Sequence, residues 1–288
     1  MAEMQNVLTV RSAPVEIAEH SLRWRVQEID YAGIVHDQVR NDENLFYLLV
    51  GASFIESGSD TYTRNLVEHY ADYPEVAKWL AHHWEPEELQ HGAALKRYVQ
   101  AVWPTFDWEP AYASFFEEYG RLCQVEELQQ DRRLEMVARC VVETGTTAYY
   151  HTLVALAREP VLHDLLERIR GDEVQHYKHF LGYFRQLHEE RPVSRARIAR
   201  VLYARLQELR ESDSDVALRH AWAFRGRLFP DGARDFDEIS KRMYRLVSAR
   251  LPADQAIRML LKPVSLPHRL ERMVQKPLSR LALRVMAP

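Results

Sequence analysis

Glycine and proline are scarce. Ten glycines and thirteen prolines in 288 residues are too few to punctuate a chain of many short β-strands. The glycines are scattered and never form G-x-G-x-x-G, so no flavin or nicotinamide fingerprint is present. Cysteine is scarcer still. Cys123 and Cys140 are the only two, which excludes a disulfide framework and a thiolate metal site. Both read as buried thiols in a reducing compartment. Long apolar runs are missing as well. The longest uncharged stretch near the front, Leu45 to Ile55, is too short to span a bilayer. The opening segment MAEMQNVLTVRSAPVEIAEH carries Glu3, Glu16 and Glu19 and no continuous apolar region, so no signal peptide is expected and the expected location is the cytoplasm. A net charge of −4 implies no general affinity for nucleic acid.

What is abundant favours helix: long stretches of Ala, Leu, Glu, Arg and Gln, with 47% hydrophobic and 28% charged residues. The chain is long enough for one large core plus an appendage. Residues 1–40 read as a lead-in broken at Pro14 and Gly33. A first long helix is predicted from Asp42 to Tyr70, capped at Asn41 or Asp42. A second runs from Pro74 to Val102 and stops at Trp103-Pro104. Residues Glu109 to Arg158 form one or two helices, and a further main helix follows Glu159-Pro160 and reaches Glu190. The short breaks predict antiparallel packing. The domain plan is therefore a lead-in (1–40), a helix bundle (41–190) and a C-terminal helical extension packed on it (191–288). From Arg258 onward seven cations face one acid, Glu271, and Pro263, Pro267 and Pro277 predict short helices strapped to the surface.

The pattern Glu-x-x-His occurs twice, as Glu88–His91 and Glu173–His176. On a helix such a pair shares one face, so carboxylate and imidazole aim at one point. Two further glutamates, Glu56 and Glu143, lie in charge-poor stretches, LFYLLVGASFIESGS and CVVETGTTAYY. A carboxylate buried there is costly unless it is paired or bound to metal. The spacing repeats: 32 residues separate Glu56 from Glu88, and 30 separate Glu143 from Glu173. Each half is a helix bearing Glu, a turn, and a returning helix bearing Glu-x-x-His at matching height. Two such hairpins make a four-helix bundle with six ligands converging inside, the arrangement known for ferritin-like di-iron carboxylate proteins. Four carboxylates and two imidazoles favour iron, with manganese as the alternative. Asp172 and Glu87 precede the two Glu-x-x-His glutamates. The two-fold logic places Asp172 against His91 and Glu87 against His176, as partners for the outer imidazole nitrogens; the alternative is a pair of solvated acids.

These residues resemble the soluble acyl-carrier-protein desaturases, over roughly residues 24 to 190. Trp84-Glu85-Pro86-Glu87-Glu88-Leu89-Gln90-His91-Gly92 is similar to that family's W-x-x-E-E-x-x-H-G. Asp172 to His176 and Glu143-Thr144-Gly145-Thr146 carry the rest, and Thr146 stands where the family has a threonine thought to assist oxygen activation. Trp24-Arg25-Val26-Gln27 looks like the family's Trp-x-x-Gln, which supplies a surface tryptophan linked through Asp and His to iron; the corresponding electron path here is Trp24–Asp172–His91. Pro86 departs from the pattern, and a kink is expected there. The N-oxygenase branch of the superfamily has a seventh ligand, a His, where this chain has Ile169.

The resemblance implies two iron ions and O2-dependent desaturation or hydroxylation of an acyl chain tethered to acyl carrier protein. It also implies a homodimer and an external electron donor such as ferredoxin. The basic C-terminal region fits docking of an acidic carrier, or is simply a solvated basic tail. An iron-handling ferroxidase without organic substrate is the second reading. A buried apolar tunnel beside the metals would mark the oxidase.

Overall fold

The computed structural model describes residues 22–121, 128–208, 213–232 and 235–286; Pro14 and Cys123 lie outside the described residues. Among the described residues all regular structure is helical. Residues 22–40 hold three short 3-10 turns, at Val26–Glu28, Tyr31–Gly33 and His36–Gln38.

Helix α1 (Glu43–Ser57) starts at Asp42, whose carboxylate accepts the Leu45 N–H at 3.0 Å. Its residues Leu45 to Phe54 are all buried, so it is enclosed on every side. The single helix expected to reach Tyr70 is interrupted at Gly58, and α2 (Ser59–His69) follows. Two contacts explain the break. A side chain at position 58 would begin 3.1 Å from the Tyr119 ring. The Ser59 hydroxyl also donates to the Glu56 carbonyl, drawing an oxygen of the last turn away from the helical ladder.

Helix α3 (Pro74–Trp79) leads through a wide π turn, Leu80–Trp84, into α4 (Glu85–Val102). The effect expected of Pro86 takes this form. Proline has no N–H to close the normal turn, and the wider turn just before it absorbs the mismatch. Helix α5 (Trp108–Tyr119) precedes α6 (Arg132–Leu156) and α7 (Pro160–Glu190). The Glu159 carboxylate caps α7, accepting from the Val161 and Leu162 N–H groups at 3.2 and 2.7 Å.

Helix α1 packs along α4, α6 packs along α7, and α4 also touches α7. Gly92 makes the first of these possible. A β-carbon there would stand 2.5 to 2.9 Å from the Ser57 Oγ, N and Cα, so two backbones pass closely one residue beyond His91 and one beyond Glu56.

The remaining helices are α8 (Arg195–Glu208), α9 (Asp213–Phe224), α10 (Phe236–Ser248), α11 (Ala253–Leu261) and α12 (His268–Met286). Helices α8 and α11 lie against α6, α9 lies against α1 and α5, and α12 rests on α10 and α11. Pro277 does not end a helix as the sequence suggests. It sits exposed inside α12, and the Met273 carbonyl that loses its partner belongs to an exposed residue, where water substitutes for the missing N–H. Among the described residues no helix is long and apolar enough to cross a membrane.

Candidate metal centre

Four helices bring six side chains together: Glu56 from α1, Glu88 and His91 from α4, Glu143 from α6, and Glu173 and His176 from α7. They form two groups. Glu56, Glu88, His91 and Glu173 make one; Glu88, Glu143, Glu173 and His176 make the other, and in each the ligating atoms lie within 4.8 Å of one another. Glu88 and Glu173 belong to both. None of the six is more than 7% exposed.

The two imidazoles point inward through Nδ1. His91 Nδ1 is 3.3 Å from Glu173 Oε1 and 3.8 Å from both Glu56 Oε2 and Glu88 Oε2. His176 Nδ1 is 3.1 Å from Glu88 Oε1 and 3.8 Å from Glu143 Oε2 and Glu173 Oε2. The outer nitrogens are held by the acids preceding each motif. His91 Nε2 is 3.1 Å from Asp172 Oδ2, and His176 Nε2 is 2.8 Å from Glu87 Oε2. A carboxylate that accepts the Nε2 proton leaves the Nδ1 lone pair free to ligate.

The inward atoms fit a cation. His91 Nδ1, His176 Nδ1, Glu143 Oε2 and Glu173 Oε1 are buried and make no hydrogen bond, a costly state for polar atoms unless something charged lies between them. Burial pushes the Glu88 and Glu143 carboxyls well up, and the neighbouring Glu173 charge adds to it. Burial also works to raise Glu173, but the two imidazoles outweigh it and hold that carboxyl below its ordinary range. Burial disfavours charge on His91 and His176, yet the surrounding carboxylates outweigh it and raise both well above the usual imidazole value. An oxygen-and-imidazole donor set of this kind suits hard to borderline ions. Cys140 is no competitor: burial pushes its thiol up, keeping it protonated.

Thr146 and Trp24 both reach the cluster's surroundings. The Thr146 hydroxyl donates to Glu173 Oε2 at 2.8 Å, and its oxygen is 3.2 Å from the Glu143 carbonyl. The Trp24 indole N–H donates to Asp172 Oδ2 at 2.6 Å, and its ring lies parallel to that of His91, the two planes 7° apart and the centroids 6.1 Å apart. Trp24 is not on the surface, as the resemblance implies, but 4% exposed. The exposed residue at that end is Arg23, whose guanidinium donates to Asp172 Oδ1 at 3.2 Å and to the Gly171 carbonyl at 2.9 Å. The segment before the first helix folds inward because the indole has two partners there, the imidazole face and the carboxylate. Ile169 is buried among apolar side chains and offers no ligand.

Two residues of α6 outside the sequence motifs belong to the centre's surroundings. The Tyr150 hydroxyl donates to Glu56 Oε1, and Thr147 is buried with its hydroxyl unpartnered. The signal was available: positions 143, 146, 147 and 150 recur at i, i+3, i+4 and i+7 on one helix face. Arg23, outside α6, is a third, and no sequence pattern marks it: only the fold brings it to Asp172.

Among known proteins, the chain matches no family model and no curated protein. The functional reading therefore rests on the centre itself.

Proposed function

We propose that the chain is a ferritin-like di-iron oxidase that desaturates or hydroxylates an acyl chain, related in kind to the soluble acyl-carrier-protein desaturases. The observation that carries the reading is the pair of ligand groups sharing Glu88 and Glu173, each with its imidazole held from behind by an acid. One ion would be held by Glu56, Glu88, His91 and Glu173, the other by Glu88, Glu143, Glu173 and His176. Iron is the ion proposed; manganese suits the same donors. Bound there, iron supplies O2 activation and oxidation of an unactivated C–H bond.

The protein's own residues do the rest. Four carboxylates balance two divalent charges, so the pair can sit in a dry interior. Asp172 and Glu87 keep the proton on Nε2 of each histidine. Arg23 and Trp24 fix the Asp172 carboxylate and so orient the His91 ring. Thr146 holds a proton on Oγ1, directed at Glu173. Two electrons per turnover come from an external donor, a ferredoxin in this proposal, through Trp24, Asp172 and His91, and the matching two protons come from solvent. The acyl chain arrives on acyl carrier protein, and the enzyme is a homodimer working in the cytoplasm.

A ferroxidase without organic substrate is the second reading. The oxidase calls for an apolar passage beside the carboxylates, whereas the two open cavities described lie between α11 and α12 and at Gln100–Trp108. One experiment separates the readings: load the protein anaerobically with iron(II), admit O2 with a panel of acyl-carrier-protein substrates, and read the acyl chains by mass spectrometry. A product lighter by two hydrogens or heavier by one oxygen establishes the oxidase. Oxidised iron with every acyl chain unchanged establishes the ferroxidase.

A further inference from the structure

Helix α12 rests on α10 and α11. Its outward face carries a row of apolar side chains, Leu270, Met273 and Leu281, which are 47%, 70% and 55% exposed. Positions 270, 273, 277 and 281 follow one another every three or four residues, so they form one line along the helix, about 16 Å long at 1.5 Å per residue. Pro277 stands in the same line and is exposed.

Cations flank this row on the outward surface: Arg269, Arg272, Lys276 and Arg280. With Arg258 of α11, three of them line an open hollow of about 700 Å³ between the two helices, where the one acid is Asp254. The acid of α12 itself, Glu271, is engaged by Lys262 at 3.5 Å. Arg258, Arg269, Arg272 and Lys276 form no ion pair among the described residues. A protein interior gains nothing from this arrangement, since exposed apolar side chains and unpaired cations occupy the same face.

We propose that α12, with the basic hollow beside it, is a docking surface for an anionic lipid bilayer. Lipid phosphates and acidic headgroups would meet Arg258, Arg269, Arg272 and Lys276. Leu270, Met273 and Leu281 would enter the boundary between headgroups and acyl chains, as a helix lying in the interface plane does. Charge complementarity selects this occupant over a second copy of the chain. A two-fold contact through this face would set each row of cations against its own copy. The helix offers a bilayer both of the features such a surface takes up, cations for the acidic headgroups and an apolar row for the acyl boundary; an acidic protein partner is an outcome that the test below separates. The proposal needs no metal and does not depend on the oxidase reading.

The test is co-sedimentation of the full-length protein with vesicles of phosphatidylcholine alone and with phosphatidylglycerol added. Binding is expected to the mixed vesicles, to weaken with salt, and to be negligible on phosphatidylcholine alone. Arg272→Glu with Lys276→Glu should lower the partition coefficient at least ~10-fold, since each cation near an anionic surface contributes severalfold. Leu270→Ser with Met273→Ser should lower it by a comparable factor at high salt, where the apolar term dominates. All four side chains are exposed or at the rim, and circular dichroism and metal content should be unchanged. Absence of binding to the mixed vesicles overturns the proposal. So does binding that neither double variant weakens. Dimerisation or acyl-carrier-protein binding that the same variants abolish, without vesicle binding, overturns it in favour of those partners.

Discussion

Thr146 is the residue whose chemistry and packing separate most cleanly. Its hydroxyl meets Glu173 Oε2 at 2.8 Å, and valine keeps the shape while removing the donor. Thr146→Val should therefore retain iron content, cost about 1–3 kcal/mol of stability because the acceptor is a buried carboxylate, and slow product formation or uncouple O2 use from it. Unchanged turnover and coupling would take Thr146 out of the mechanism. Trp24 makes the opposite kind of case, because it is both packed and hydrogen-bonded. Trp24→Phe keeps an aromatic ring over His91 and loses the N–H to Asp172. The variant should hold its iron, reduce slowly with a ferredoxin, and reduce at the normal rate with a small chemical reductant. Equal behaviour with both reductants would return Trp24 to an ordinary packing role. The ligands themselves predict an ordering. Glu173 serves both groups and Glu56 only one, so elemental analysis should find less metal in Glu173→Ala than in Glu56→Ala.

At the scale of elements, the centre depends on how closely helices approach. Gly92 lets the α4 backbone pass Ser57 with no room for a methyl group. Because the obstacle is backbone N and Cα as well as a side chain, it cannot swing aside. Gly92→Ala should cost about 1–3 kcal/mol by overpacking, although alanine is the better helix former. Denaturant titration should show it, and metal content should fall as well, because His91 and Glu56 are the adjoining residues. A variant as stable as the parent would mean that α1 and α4 can separate freely. The π turn at Leu80–Trp84 and the break at Gly58 belong to this scale too. Each lies within a few residues of a ligand and changes the course of the chain there: the break turns α2 away after Glu56, and the π turn shifts the helical phase before Glu88.

At the scale of the whole molecule, the buried charge decides how stability responds to pH. In protein stripped of metal, His91, His176, Glu88 and Glu143 bind protons more tightly when folded than when unfolded. Their contribution is complete below the unfolded values and is lost as pH rises through the raised folded ones. Glu173, held low, acts oppositely, but only below the ordinary carboxylate range. Metal-free protein should therefore lose thermal stability as pH rises above the ordinary carboxylate range and then above the ordinary imidazole range. Iron(II) or manganese(II) should restore it and release protons on binding, because the cation replaces them. A melting temperature independent of pH and of added metal would show that the cluster is not held in this way.

The sequence alone determined the helical class, most of the helix spans, the two Glu-x-x-His pairs and the upstream glutamates at matching separation. It also indicated which acid should stand behind which histidine. All of these follow from periodicity, since 3.6 residues per turn fixes which side chains share a face and the repeat fixes their height. The tertiary structure decided what depends on distances between helices. It drew Trp24 inside, set Tyr150 on Glu56, brought Gly58 against the Tyr119 ring, and carried α12 through Pro277. A local pattern carries no information about how closely two backbones approach or which rotamer meets which across the gap. Those are settled only when the helices pack and each buried polar atom must find a partner.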